Sequence, residues 1–168
     1  MGFIRTTLTG ALALGMAACA SAPPPPPAPP PFPMLRSAGA WAFDYDAASR
    51  TATASLRSPQ GALLVEMSCE APRGPIEVRD WTFALPSGPV SLGVNLGDAA
   101  TTVSGTAPAS SAASSGVRFA LSPLDPAVLD LFDGQTVAVR GPAKGHEWGP
   151  QAAQQVISVA NACAARGS

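Results

Sequence analysis

The residues in this sequence that could act as nucleophiles, general bases or metal ligands include three cysteines and a single histidine. His146 is followed by Glu147 and Trp148 in a glycine-rich stretch, where we expect a lone histidine to be solvated. A zinc site would need further histidine or free cysteine ligands, and a general base would need a partner group. The sequence after the first 18 residues contains no nucleophile, P-loop or zinc motif. We therefore predict a non-enzymatic protein without a catalytic residue, metal or cofactor.

The acidic residues also form no recognisable metal-binding motif. Asp44 and Asp46 form a D-x-D pair, but a calcium loop requires six or more oxygen ligands and a glycine at its bend. We interpret the pair as a turn-capping aspartate and a solvated neighbour. Carboxylates from separate strands could still converge to cleave a glycosidic bond, so a hydrolase remains an open alternative.

Cys19 offers a different chemistry, because it follows a segment typical of export. A short basic start at residues 1–5 precedes an apolar run at residues 8–16, and the small Ala17 and Ala18 stand directly before the cysteine. Cleavage before Cys19 would remove a processing segment and leave a thiol able to carry a thioether-linked diacylglycerol. Two or three acyl chains hold a protein firmly to a membrane, whereas one holds it weakly.

The stretch Leu14-Gly15-Met16-Ala17-Ala18-Cys19 resembles the lipobox of bacterial lipoproteins, with methionine in place of the usual leucine. The resemblance implies an exported, palmitate-carrying protein, and the absence of aspartate after Cys19 implies the outer membrane, facing the periplasm. Two alternatives compete. A membrane helix at residues 6–18 is too short, since roughly 20 apolar residues span a bilayer. The start Met1-Gly2 also fits a bare myristoylation pattern, which the apolar run behind it makes a chance match.

A proline-rich segment separates this signal from the remainder of the chain. Residues 23–33 contain nine prolines and cannot form a helix or a paired strand. They favour polyproline II, so we predict a stiff stalk roughly 30 Å long, a ligand for a proline-binding module being the alternative. The predicted organisation is a signal peptide at 1–18, a lipid-anchored linker at 19–36 and a single β-rich domain at 37–168. The formal net charge is −1 with no basic patch, which argues against nucleic-acid partners.

The two other cysteines are predicted to form a disulfide. An even number of cysteines in an exported chain favours pairing, with buried free thiols as the alternative. A period of two places Cys69 on the apolar side of residues 63–70, and helical spacing places Cys163 on the apolar stripe of the C-terminal segment. Both sulfur atoms should therefore face one core.

Alternating and helical patterns predict the fold class. Residues 41–45 and 51–56 read as a hairpin, and residues 76–85 as a strand whose phase slips at 79–80 through a β-bulge. Asp125 and Pro126 mark the start of a short helix. We predict a mainly β, α+β fold: a small antiparallel sandwich or barrel of about seven to eight strands, one short helix and a C-terminal helix tied by the disulfide.

The order of these elements resembles two groups of small exported β-proteins: periplasmic accessory proteins associated with type VI secretion, and invasion-associated-locus-B-like proteins. The resemblance implies a binding, scaffold or accessory role, with an envelope protein or peptidoglycan as partner. An inhibitor of a wall-cleaving hydrolase is the alternative. The candidate partner surface consists of Arg140, His146 and Trp148, although Trp148 could instead fold back over the core.

Overall fold

The computed structural model describes residues 33–70, 74–83, 85–108 and 116–164. Within these ranges the chain forms ten strands and two helices. The strands are β1 (Met34–Arg36), β2 (Ala40–Asp46), β3 (Thr51–Arg57), β4 (Leu63–Glu70), β5 (Ile76–Asp80), β6 (Gly88–Leu96), β7 (Ala99–Ala107), β8 (Val117–Leu121), β9 (Val137–Arg140) and β10 (Gly145–Glu147). The helices are α1 (Pro126–Leu129) and α2 (Ala152–Ala164).

All the described strands belong to one sheet, in the order β1-β10-β9-β6-β7-β8-β5-β4-β3-β2. Each pairing is antiparallel except that of β1 with β10. β1 and β2 lie at opposite ends of this order, yet only residues 37–39 join them along the chain. Because three residues reach roughly 10 Å, the sheet must curl until its two edges come close. The result is a half-barrel.

The inner face of the curled sheet is apolar and is filled by α2. Strand alternation turns Ala52, Ala54 and Leu56 of β3 inward, and all three are buried. α2 packs against β2, β3, β4 and β5. The small alanines of β3 leave room for the helix, whose Val156 and Val159 are completely buried.

A disulfide joins this helix to the sheet, as the sequence predicts. Cys69 of β4 and Cys163 of α2 are bonded, with Cα atoms 6.1 Å apart and a separation of 94 positions in the sequence. Both side chains are almost completely buried. The two apolar faces identified from periodicity therefore meet in one core.

The mainly β prediction is confirmed, but the expected strand number is too low. Two of the additional strands are three residues long: β1 lies in the segment assigned to the linker, and β10 lies in the glycine-rich stretch assigned to a loop. Three residues are too few for a period of two to be recognised. These strands depend on pairing with each other and with β9, which a local pattern does not reveal.

Two local predictions are confirmed and one is wrong. The hairpin pairs Trp41 with Leu56, and the Asp125 side chain caps α1 by accepting the Ala127 N–H at 2.9 Å. The predicted bulge at residues 79–80 does not form. β5 instead ends at Asp80, and residues 81–82 form a turn, so the slip in phase marks the end of a strand.

The predicted signal peptide, Cys19 and the stalk up to residue 32 lie outside the described residues. Among the helices that are described, none is long and apolar enough to cross a membrane.

Candidate functional site

A completely buried carboxylate lies at the centre of the most elaborate polar arrangement in the described chain. Asp80 is the last residue of β5 and follows Ile76 and Val78 on the inward face. Its Oδ1 accepts the Thr82 N–H at 2.9 Å and the Thr82 hydroxyl at 2.6 Å. Its Oδ2 accepts the Trp148 indole N–H at 2.8 Å and lies 2.6 Å from Nδ1 of His146. These partners satisfy a charge whose burial would otherwise be costly.

His146 connects this carboxylate to a serine hydroxyl. It lies on β10 opposite Val139 of β9, and its side chain is 1% exposed. Because a carboxylate can only accept hydrogen bonds, Nδ1 carries the proton that Asp80 accepts. In the neutral imidazole Nε2 is then an acceptor, and the Ser37 Oγ lies 2.6 Å from it. With the imidazole neutral, the Ser37 hydroxyl donates to a histidine that is oriented by an aspartate.

Ser37 is held by the parallel pairing of β1 with β10. Leu35 pairs with His146, and the Ser37 N–H donates to the Glu147 carbonyl at 3.1 Å. β1 approaches Gly145 closely, and a Cβ at this position would displace the Met34 side chain. Ser37 is half-buried, whereas the histidine and aspartate behind it are almost completely buried. We call Ser37, Asp80, Thr82, His146 and Trp148 the polar network.

Two tryptophans connect the polar network to the opposite edge of the sheet. The Trp41 indole N–H donates to the Trp148 carbonyl at 3.2 Å, and the two ring centroids are 6.3 Å apart. Trp41 belongs to β2, whereas Trp148 directly follows β10. The contact therefore joins the two ends of the curled sheet, next to the buried carboxylate.

The structure corrects the sequence interpretation of the 141–149 stretch. His146 is buried on a strand and hydrogen-bonded on both ring nitrogens, so the expectation of a solvated side chain is wrong. Trp148 is completely buried, which corresponds to the alternative in which it folds back over the core. Only Arg140 of the three candidate partner residues is exposed, so they do not form one exposed surface.

Neither Ser37 nor Asp80 is among the candidate residues predicted from the sequence. Asp80 left one signal: it continues the inward alternation of Ile76 and Val78, so a charged residue occupies a core position. Ser37 left none, because its role depends on a parallel strand pair from distant parts of the chain. Within the described ranges, no cluster of three or more His, Cys, Asp or Glu residues could hold a metal ion.

Asp46 caps the first hairpin turn, in agreement with the sequence interpretation of the D-x-D pair. Its carboxylate accepts the Ser49 hydroxyl at 2.8 Å, the Ala48 N–H at 2.8 Å and the Ser49 N–H at 3.4 Å. These hydrogen bonds lower the pKa of Asp46 below its ordinary value, and the bond from the Ser49 hydroxyl has the largest effect. Asp46 thus stabilises a turn.

A second feature is a set of exposed, large apolar side chains in and next to α1. Leu124, Leu129 and Phe132 are 64%, 62% and 62% exposed, and we call them the apolar surface. Beside them lies a shallow groove of about 90 Å³ between α1 and α2, whose lining includes Pro123, Val128, Leu131 and Ile157. Residues 124–136 contain three aspartates and no lysine or arginine. The segment that carries the apolar surface is therefore negatively charged.

Comparison with known proteins gives no family model, no curated protein and no solved structure that matches this chain. Its function is therefore inferred from the geometry of its own residues.

Proposed function

We propose that this chain is a lipid-anchored protein of the outer membrane whose half-barrel binds another envelope protein through the apolar surface. The lipobox-like stretch before Cys19 supports the anchor, and the proline-rich stalk would hold the domain away from the lipid. The buried disulfide is typical of proteins that fold in an oxidising compartment outside the cytoplasm.

The observation that carries the binding role is the exposure of Leu124, Leu129 and Phe132 within nine residues of sequence. Single exposed apolar side chains are ordinary, whereas three within one short segment favour an interaction site. Large apolar side chains that enter a partner's pocket supply much of the energy of protein interfaces. The cluster does not contribute to the core and is available to a partner.

The charge around the cluster indicates the chemistry of the partner. Asp125, Asp130 and Asp133 lie in the same segment as the apolar side chains, and this segment contains no basic residue. The matching surface has an apolar pocket with lysine or arginine at its rim, because complementary charges promote encounter and specificity. An anionic lipid surface would be repelled by the same carboxylates. We therefore favour a basic-rimmed protein over the bilayer.

Site-specific photo-crosslinking in intact cells tests this proposal. A benzophenone amino acid in place of Phe132 should give a covalent adduct of defined mass, because the native side chain contacts the partner. Phe43 is the matched control, since it is an aromatic residue with 43% exposure on β2. The adduct should weaken when Leu129 is replaced by alanine or when Asp130 and Asp133 are replaced by asparagine. An equal adduct at position 43, or none at position 132, would contradict the proposal.

A specific feature of the same segment also favours an inhibitor of a wall-cleaving hydrolase as a second candidate. The Phe132 N–H donates to the Gln135 side chain at 3.0 Å, and the Asp125 cap fixes the start of α1. A segment held in one conformation loses little entropy on entering an active-site cleft. Purified domain should then slow peptidoglycan lysis by one class of wall hydrolase, and Phe132→Ala should abolish the effect. Unchanged lysis across those classes would rule out the inhibitor.

A further inference from the structure

The polar network contains the three side chains of a nucleophilic serine site in their functional order. Ser37 Oγ lies 2.6 Å from His146 Nε2, and His146 Nδ1 lies 2.6 Å from Asp80 Oδ2. The pairs are 109 and 66 positions apart in the sequence. We infer that Ser37 is an activated nucleophile that attacks carboxylic esters, with His146 as general base and Asp80 as its positioning residue.

This inference is independent of the proposed binding role, because the polar network shares no residue with the apolar surface. It differs from the expectation of a chain without a catalytic residue, because it assigns a reaction to a specific serine.

The hydrogen bonds assign one role to each group. Thr82 and Trp148 hold the Asp80 carboxylate, so its remaining contact fixes the orientation and tautomer of the imidazole. The Nε2 lone pair therefore points at the Ser37 hydroxyl and can take its proton. Asp80 and His146 are almost completely buried, whereas Ser37 is half-buried. A reagent therefore reaches the Ser37 hydroxyl before it reaches the imidazole.

The backbone after Ser37 suits the charge that develops during such an attack. Ala38 and Gly39 are exposed, and their N–H groups donate to no other residue that the structure describes. An N–H directly after the nucleophile is a common donor to the oxyanion of acyl transfer. The short connection between β1 and β2 is therefore accessible and contains two N–H groups that donate to no described residue.

The reaction follows from these positions. Ser37 Oγ forms a bond to the carbonyl carbon of the ester while its proton passes to His146 Nε2. The bond from carbon to the alkoxy oxygen then breaks, and the alcohol leaves with that proton. Water next attacks the acyl-serine, giving one proton to Nε2 and its hydroxyl to the carbon. Release of the acid returns the proton to Ser37, so the sum is ester plus water to acid plus alcohol.

The chain provides an internal comparison in Ser49. Its hydroxyl is exposed and donates directly to the Asp46 carboxylate at 2.8 Å, with no histidine between them. A carboxylate is a weaker base than imidazole, so Ser49 should react as an ordinary serine. General-base assistance typically contributes a factor of roughly 100 to 10,000, and Ser37 should exceed Ser49 by about that factor.

The test treats the folded, disulfide-bonded protein with an alkyl fluorophosphonate and locates adducts by peptide mass spectrometry. In this reaction Oγ bonds to phosphorus, the phosphorus–fluorine bond breaks, and fluoride leaves with the serine proton. One adduct should form on Ser37, at least about 100-fold faster than on Ser49, and p-nitrophenyl acetate turnover should disappear in parallel. Ser37→Ala should abolish both signals, whereas Ser49→Ala should leave both unchanged.

Asp80→Asn tests the positioning role in a variant that is first shown to be folded by near-ultraviolet circular dichroism. The rate of Ser37 labelling should fall at least about 10-fold, because asparagine does not hold the same tautomer. Wild-type labelling provides a test that requires no variant. The inference is overturned if Ser37 and Ser49 react at equal rates in the folded wild type, or if folded Asp80→Asn labels at the wild-type rate.

Discussion

The Trp41 side chain donates a hydrogen bond to the Trp148 carbonyl at 3.2 Å, although the two residues lie 107 positions apart. Trp41 belongs to the last strand of the sheet order, and Trp148 follows the strand next to the first. This single contact shows that the two edges of a ten-stranded sheet have met. It also lies beside the buried carboxylate, because the Trp148 indole donates to Asp80.

Replacing Trp148 by phenylalanine should destabilise the fold more than the same replacement of Trp41. The Trp148 change removes a hydrogen bond to a buried carboxylate and should lower the free energy of unfolding by about 2 kcal/mol. The Trp41 change removes a half-buried hydrogen bond to a neutral carbonyl and should cost about 1 kcal/mol. Urea denaturation followed by far-ultraviolet circular dichroism measures both values. Equal losses of unfolding free energy would show that the Trp148–Asp80 hydrogen bond stabilises the fold no more than the Trp41 hydrogen bond does.

Removing the disulfide should be more damaging than either tryptophan change. A bond closing a loop of 94 positions constrains the unfolded chain, and the chain-entropy model gives about 4 to 5 kcal/mol for that length. The double variant Cys69→Ala with Cys163→Ala should therefore have a much lower midpoint in urea than the oxidised wild type. Thiol blocking before denaturation should label neither cysteine in the wild type. Labelling of both would contradict the bond itself.

The first hairpin turn should make a contribution to stability that depends on pH. Hydrogen bonds from Ser49 and Ala48 lower the pKa of Asp46 in the folded state, so the ionised form is favoured by folding. Its contribution is fully present above the unfolded pKa of about 3.9 and is lost as the pH falls through the lowered folded pKa. Asp46→Ala should therefore lower the melting temperature at neutral pH and have little effect at strongly acidic pH.

Asp44→Ala is the matched control for that prediction. Asp44 lies on the same strand and is exposed, but its side chain accepts no hydrogen bond from the described residues. Its replacement should leave the difference between neutral and acidic melting temperatures unchanged. If the two variants show the same pH dependence, the turn does not account for the effect.

The anchor prediction concerns residues outside the described part of the chain. Cys19→Ala should leave the domain folded but without lipid, so the protein should move from the membrane fraction to the soluble periplasmic fraction. Intact-mass measurement of the wild type should show loss of residues 1–18 and a gain equal to the attached acyl groups. A wild type that keeps the full precursor mass would contradict the lipobox interpretation.

The amino-acid sequence by itself determined the features that depend on neighbours along the chain. The hairpin from Trp41 to Leu56 and the cap at Asp125 follow from alternation and from side chains that bond nearby backbone groups. The disulfide could also be predicted, because periodicity places Cys69 and Cys163 on apolar faces, and a domain of this size has one core for such faces to share.

Only the tertiary structure decided how the edges of the sheet meet and what lies between them. β1 and β10 are too short to carry a pattern, and they exist because each pairs with a distant segment. In the sequence, Ser37, Asp80 and His146 are ordinary polar residues. They form a candidate site only because the fold places the His146 ring nitrogens 2.6 Å from the Ser37 hydroxyl and 2.6 Å from the Asp80 carboxylate. The physical reason is that burying a charge is unfavourable unless specific partners satisfy it, and the fold brings those partners from separate strands.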